Sequence, residues 1–182
     1  IEPAAGDAGG ALGCAHLAWH KIKGNPRVAD GKHDQMNGAY LGPDFPDDEI
    51  GEFLKAKGYP AAKPAAADWA PAIAKLIAGE NVIGLCQGRM EFGPRALGGR
   101  SIIGDARSPK MQAIMNLKIK YRESFRPFAP SCLEEKVSDY FELDRPSPYM
   151  LLVAQVRKER CIGLAGSEKL AARERINQIR SD

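Results

Sequence analysis

Residues 82–104 read Val-Ile-Gly-Leu-Cys-Gln-Gly-Arg-Met-Glu-Phe-Gly-Pro-Arg-Ala-Leu-Gly-Gly-Arg-Ser-Ile-Ile-Gly. Val82–Cys86 is a short apolar run that reads as a buried strand, and Ser101–Gly104 reads as the next strand. Between them lies a loop with three arginines (Arg89, Arg95, Arg100) and four glycines (Gly88, Gly93, Gly98, Gly99). Glycine admits left-handed backbone and lets a ligand approach N–H groups closely. Arginine presents a planar fork of donors that fits carboxylate and phosphate. The combination predicts a loop that holds an anion.

Outward from this loop, helices and strands alternate, which predicts an α/β fold, with α+β as the variant. A helix is expected from Gly9 to Lys23, followed by a glycine- and proline-rich loop over 24–46. Asp47 or Asp48 can cap a short helix carrying Ile50, Phe53 and Leu54, which Gly58 ends with Pro60 just beyond. Residues 60–67 are rich in Ala, Lys and Pro and read as a linker. Asp68 is a good N-cap for a helix reaching Ala78, with Gly79 at its end. Ser108-Pro109 starts a helix with Met111, Ile114, Met115 and Leu117. Phe128–Leu133 reads as a strand, Glu134–Phe141 as a short helix, and Tyr149–Val156 as the clearest strand. Residues 167–180 have helical spacing.

The 182 residues suffice for one domain or a domain with part of another, and 44% hydrophobic with 27% charged residues fits a soluble globular protein. No run approaches a membrane span, and no signal segment opens the chain. It starts at Ile1, as expected of a fragment or a processed product. Cys14, Cys86, Cys132 and Cys161 are scattered among apolar neighbours without a C-x-x-C pair, so they read as small hydrophobes in a reducing, cytoplasmic setting. Net charge is +3, yet residues 88–126 hold nine bases against three acids, a local +6. The anion-binding potential is concentrated in that segment.

A second constellation is Asn116-Leu-Lys-Ile-Lys-Tyr-Arg-Glu-Ser-Phe-Arg-Pro-Phe-Ala-Pro130. In an extended segment Lys118, Lys120 and Arg122 share one side, and a polyphosphate between them would relieve their repulsion. The alternative is a solvated basic surface. Tyr121, Phe125 and Phe128 could serve as stacking platforms, which keeps RNA binding as a rival. Gly6-Asp-Ala-Gly-Gly-Ala-Leu-Gly13 reads either as a helix-entry turn or as a metal or nucleotide contact through Asp7. His16 and His20 have the i, i+4 spacing of two-histidine metal sites, but no Glu of a zincin motif stands between them. There is no P-loop and no convincing Ser/His/Asp order.

The two basic segments resemble the signature of the O-carbamoyltransferase family, which includes nodulation-factor, cephamycin and tobramycin carbamoyltransferases. The resemblance runs from Pro3-Ala-Ala-Gly-Asp-Ala-Gly-Gly through Tyr40-Leu-Gly-Pro to Tyr149-Met-Leu. It implies a large ASKHA-type domain followed by a YrdC-like domain with a mixed twisted sheet and flanking helices. On that basis residues 1–40 are the tail of the ASKHA-like domain, 41–67 a linker with a short helix, and 68–182 a YrdC-like domain truncated at its C-terminus. The implied chemistry is formation of carbamoyl-adenylate from carbamoyl phosphate and ATP with Mg²⁺, then transfer to the hydroxyl of a small-molecule acceptor. Arg95, Lys120 and Arg122 are then the candidate catalytic residues. Arg89, Gly98, Arg100, Ser101, Asn116 and Arg126 are the candidate binding residues. Asp7 matches the aspartate that completes an Fe²⁺ site with two upstream histidines, which this sequence does not contain. Glu91 reads equally as part of the site or as partner to a loop arginine. No membrane partner is expected, and a homodimer is compatible with the family.

Overall fold

Pro46 and Gly58 bracket a helix because one supplies extended backbone at its start and the other a left-handed exit. In the computed structural model, which describes Ala4 and residues 6–161, helix α2 runs over Asp47–Lys57. Three acids occupy its first turn and two lysines its last, each favourable to the helix dipole. Gly58, at φ +67°, donates to the carbonyls of Leu54 and Lys55. The exit at Gly58 is as expected, whereas the cap position falls on Pro46 and the expected caps Asp47 and Asp48 lie inside the first turn.

Helix α1, Asp7–Leu17, continues through a π-helical turn at Ala18–Ile22. Helix α3 spans Ala66–Ala78, starting two residues before the expected Asp68 cap and carrying Pro71 inside. Its end is a Schellman arrangement in which Glu80, not glycine, takes the left-handed position at φ +61°. Glu80 N–H donates to Ile77 O (2.9 Å) and Asn81 N–H to Leu76 O (3.1 Å).

Strand β1, Ile83–Cys86, pairs with strand β2, Arg100–Ile103, in a two-stranded antiparallel sheet, so helices and a small sheet make up the α/β fold. The sheet is not buried on both faces: β1 alternates between half-buried and exposed residues. Helix α4, Met111–Ile114, begins after Pro109 rather than with it, and passes into a π-helical turn at Met115–Ile119. Residues 134–136 form a 3₁₀ turn that leads into α5, Val137–Tyr140.

Two expected strands do not form. Residues 128–133 are irregular, and of 149–156 Val156 alone bridges, to Phe141. An apolar run becomes a strand only if a neighbour accepts its ladder, and Val153 is 95% exposed. The cysteines are free and exposed, not packed as small hydrophobes. The expected helix over 167–180 lies outside the described residues.

Chain contacts divide the molecule into two units. The first holds residues 1–65, 84–101 and 147–152; the second holds 66–83, 102–146 and the chain from Val153. Among the described residues, the buried apolar side chains of the second unit are Met111 and Met115, which close on Gly104. A Cβ there would lie 2.6 Å from Met111 Cγ and 2.8 Å from Met115 Sδ. Beside them, buried Asp105 is held well below the usual carboxylate range, at about 2, by the hydrogen-bonding Arg107 guanidinium. Among the described residues no helix is long and apolar enough to cross a membrane.

Candidate functional site

The arginine-glycine loop belongs to the first unit, where it is built on residues 39–43. Gly42 N–H donates to Met90 O (2.9 Å), Met90 N–H to Pro43 O (3.0 Å), and Phe92 N–H to Ala39 O (2.6 Å). Gly42 is required by this approach, since a Cβ there would lie 2.8 Å from Met90 O. Tyr40 hydroxyl donates to Leu97 O at 2.6 Å, fixing the far side of the loop. Gln87 spans the loop's base, its backbone N–H on Gly99 O (2.9 Å) and its amide on Gly98 O (3.1 Å).

The loop closes on a carboxylate of its own, Glu91. Glu91 Oε1 accepts the backbone N–H groups of Leu97 (2.8 Å), Gly99 (2.6 Å) and Arg100 (3.1 Å). Glu91 is buried, which alone would raise its pKa; the N–H groups of Leu97, Arg100 and Gly99 outweigh that and hold it below the ordinary value. Backbone donors, rather than the guanidinium of a loop arginine, satisfy this carboxylate oxygen. The sequence signal was present: one acid, with two glycines and a chain reversal eight residues on.

The three loop arginines do different things. Arg100 Nη1 donates to the carbonyls of Gln87 (3.1 Å), Gly88 (3.0 Å) and Gly99 (2.9 Å), tying the two ends of the loop together. Arg89 Nη1 donates to Gly42 O at 2.9 Å, with the rest of its side chain exposed. Arg95 is exposed and has no hydrogen bond or ion pair among the described residues. Ser101 Oγ accepts Gly98 N–H at 3.1 Å and keeps its own proton to donate. Thus Arg89, Gly98, Arg100 and Ser101 are gathered at one loop, with Arg95 at its tip.

Lys120, Arg122, Asn116 and Arg126 belong to the second unit. The expected extended segment with Lys118, Lys120 and Arg122 on one side is not found, because Met115–Ile119 is helical. Asn116, fully buried, organises the region: its Nδ2 donates to Ser124 O (3.0 Å) and Arg126 O (2.8 Å). Its Oδ1 accepts Arg122 Nε at 2.7 Å, so both amide protons and one lone pair are used inside the chain. Arg122 also lies over the Phe128 ring, 4.9 Å from its centroid. Arg126 pairs with Glu123 at 2.9 Å on the surface. Lys118 and Lys120 are exposed and make no ion pair among the described residues.

Asp7 is the first residue of α1, and its side chain lies outside the described atoms. His16 and His20 stack with ring centroids 5.6 Å apart. His20 Nδ1 is within 3.0 Å of Asn25 O.

A family model described as Carbamoyltransferase C-terminus matches residues 74–180, which include both basic segments. An uncharacterized protein of Synechocystis sp. is 56% identical over the whole chain, which covers 30% of that protein. Nodulation protein NolO of Bradyrhizobium diazoefficiens is 41% identical over 87% of the chain and 29% of its own length. An uncharacterized protein of Methanocaldococcus jannaschii is 36% identical over 87% of the chain and 26% of its own length. The chain therefore spans less than a third of the length of these relatives.

Proposed function

The chain belongs to the carbamoyltransferase C-terminus family, and from that premise we propose that it forms part of an ATP-dependent O-carbamoyltransferase. In this reading the region makes carbamoyl-adenylate from carbamoyl phosphate and ATP, and the carbamoyl group then passes to a hydroxyl of a small-molecule acceptor. The observation that carries it is the coincidence of the family match with both cationic segments, 88–101 and 116–130.

Atom balance sets the reaction. Carbamoyl-adenylate keeps the carbamoyl group and the AMP moiety, so orthophosphate leaves carbamoyl phosphate and pyrophosphate leaves ATP. One water is consumed, its oxygen completing the carbamate that attacks the α-phosphorus. Transfer to a hydroxyl then releases AMP. Two polyanions must meet, so catalysis is chiefly positioning and charge neutralisation. Arg95 and Lys120 have free cationic heads for that work. Arg122 is pre-oriented by Asn116, and Arg89 keeps part of its fork free. Ser101 can donate its hydroxyl proton to a phosphate oxygen. Arg100, Gly98 and Asn116 act on the shape of the region, and Arg126 is available once it leaves Glu123.

Mg²⁺ accompanies ATP as its counter-cation. Among the described residues no three His, Cys, Asp or Glu side chains group as a metal site, and Glu91 Oε1 already accepts three backbone donors.

The reading is tested by incubating the protein with carbamoyl phosphate and ATP and following orthophosphate and pyrophosphate. Pyrophosphate release that requires carbamoyl phosphate is expected. ATP left intact in its presence overturns the proposal.

A further inference from the structure

Tyr121 carries two local costs at once. Its φ is +49°, in the left-handed region that a residue with a side chain rarely enters. The residue is 86% exposed, and its ring makes no ring contact or hydrogen bond among the described residues. Packing therefore does not compensate the backbone, and glycine would serve better if only the turn mattered.

The conformation is imposed from both sides. Lys120 N–H closes the preceding π-helical turn on Met115 O at 2.9 Å. Arg122 N–H bonds Asn116 O at 3.0 Å, and Arg122 Nε bonds Asn116 Oδ1 at 2.7 Å. The residue holding both Arg122 bonds is itself fully buried. Strained backbone that its surroundings over-determine is a mark of functional sites. The neighbours Lys118 and Lys120 are exposed ammonium groups without an ion-pair partner among the described residues. A bare aromatic face in a cationic segment matches a nucleotide: the base can stack on the ring, and the phosphates can meet the ammonium groups. A small anion such as carbamoyl phosphate offers no aromatic ring of comparable area to stack.

We propose that Tyr121 is the stacking platform for the adenine base of ATP, held out to solvent by the Asn116–Arg122 clamp. This rests on the ATP-dependent reading above and adds to it the place of the base.

Calorimetric titration of the full chain, and of its Tyr121→Ala, Tyr121→Phe and Tyr121→Gly variants, with ATP and with inorganic tripolyphosphate tests the assignment. The native chain is expected to bind ATP about tenfold more tightly than tripolyphosphate, the gain from one base–aromatic stack. Y121A and Y121G lose that excess and keep tripolyphosphate binding, while Y121F retains it. Y121G also raises Tm, because glycine takes the left-handed backbone without strain. Weaker ATP binding in a more stable protein cannot come from a damaged fold. Equal ATP affinity in the native chain and Y121A overturns the platform and leaves the ATP reading intact. No ATP binding by the native chain overturns the underlying reading. Binding that follows oligonucleotide length but not ATP assigns the ring to a polynucleotide, and overturns the proposal as well.

Discussion

Glu91 Oε1 accepts the Gly99 backbone N–H at 2.6 Å, the shortest of three such bonds that close the arginine-glycine loop on an anion of its own. Glu91→Ala leaves three inward N–H groups without an acceptor and is expected to cost about 2 kcal/mol of stability. Glu91→Gln keeps an acceptor oxygen but loses the charge, at about half that cost. The folded carboxylate titrates below its ordinary value of 4.5, so its stabilisation is complete above that pH. It fades as pH falls through the depressed folded value. Urea melts between pH 7 and pH 3 should therefore show the gap between the native chain and E91Q narrowing toward acid. A gap that widens toward acid contradicts the arrangement.

Gly99 is buried where a Cβ would lie 2.6 Å from Arg89 O and 3.2 Å from Glu91 Cδ. The first neighbour is backbone and cannot rotate away. Gly99→Ala should destabilise by about 1–3 kcal/mol through overpacking. Gly98→Ala should act differently, because its φ is +115° and its neighbour is the Tyr40 hydroxyl at 3.0 Å. Combining G98A with Y40F relieves the contact but not the backbone, so the double variant should stay less stable than Y40F alone. Thermal melts of the four proteins decide this.

Arg95 and Arg100 occupy one loop but should respond oppositely to truncation. Arg100→Ala removes bonds to three carbonyls and should lower Tm by several degrees, about the effect of losing 1–2 kcal/mol. Arg95→Ala removes no bond among the described residues, so Tm should hold within about a degree. On the proposed function, R95A abolishes carbamoyl-phosphate-dependent pyrophosphate release. Normal turnover in R95A removes Arg95 from the site without touching the structural account of Arg100.

Helix α2 was legible because its signals are local: acids in the first turn, Gly58 at the exit, and apolar residues at helical spacing. Strands β1 and β2 were legible as apolar runs flanking a loop. Residues 149–156 were misread because apolar content does not say whether a neighbouring strand will pair. A period of two puts Lys118, Lys120 and Arg122 on one face, whereas Lys118 lies in the helical turn Met115–Ile119 and Arg122 follows the left-handed Tyr121. That the Glu91 carboxylate closes the loop is not legible in the sequence. Which acceptor fills a ring of N–H groups depends on turns at Gly93 and Gly98 that close only in three dimensions.

Asn116 argues the same point for the second basic segment. Its side chain supplies two donors to Ser124 O and Arg126 O and one acceptor to Arg122 Nε, with no exposure to water. Asn116→Ala should cost about 3 kcal/mol, because each orphaned partner forfeits a bond in a dry setting. Asn116→Asp is nearly isosteric and separates hydrogen bonding from packing. At neutral pH one oxygen of a fully buried carboxylate would face two carbonyl oxygens; burial and that repulsion are expected to raise its pKa by more than Arg122 Nε on the other oxygen lowers it. A raised acid pKa destabilises most where the group is forced to ionise, so the penalty is present at pH 7 and shrinks as pH falls. Protonation restores one donor to the Ser124 and Arg126 carbonyls. N116D should therefore recover part of its urea midpoint between pH 7 and pH 5, at an unchanged slope, whereas N116A should not. An N116D protein as stable as the native chain at pH 7 would mean that these carbonyls do not depend on the Asn116 amide.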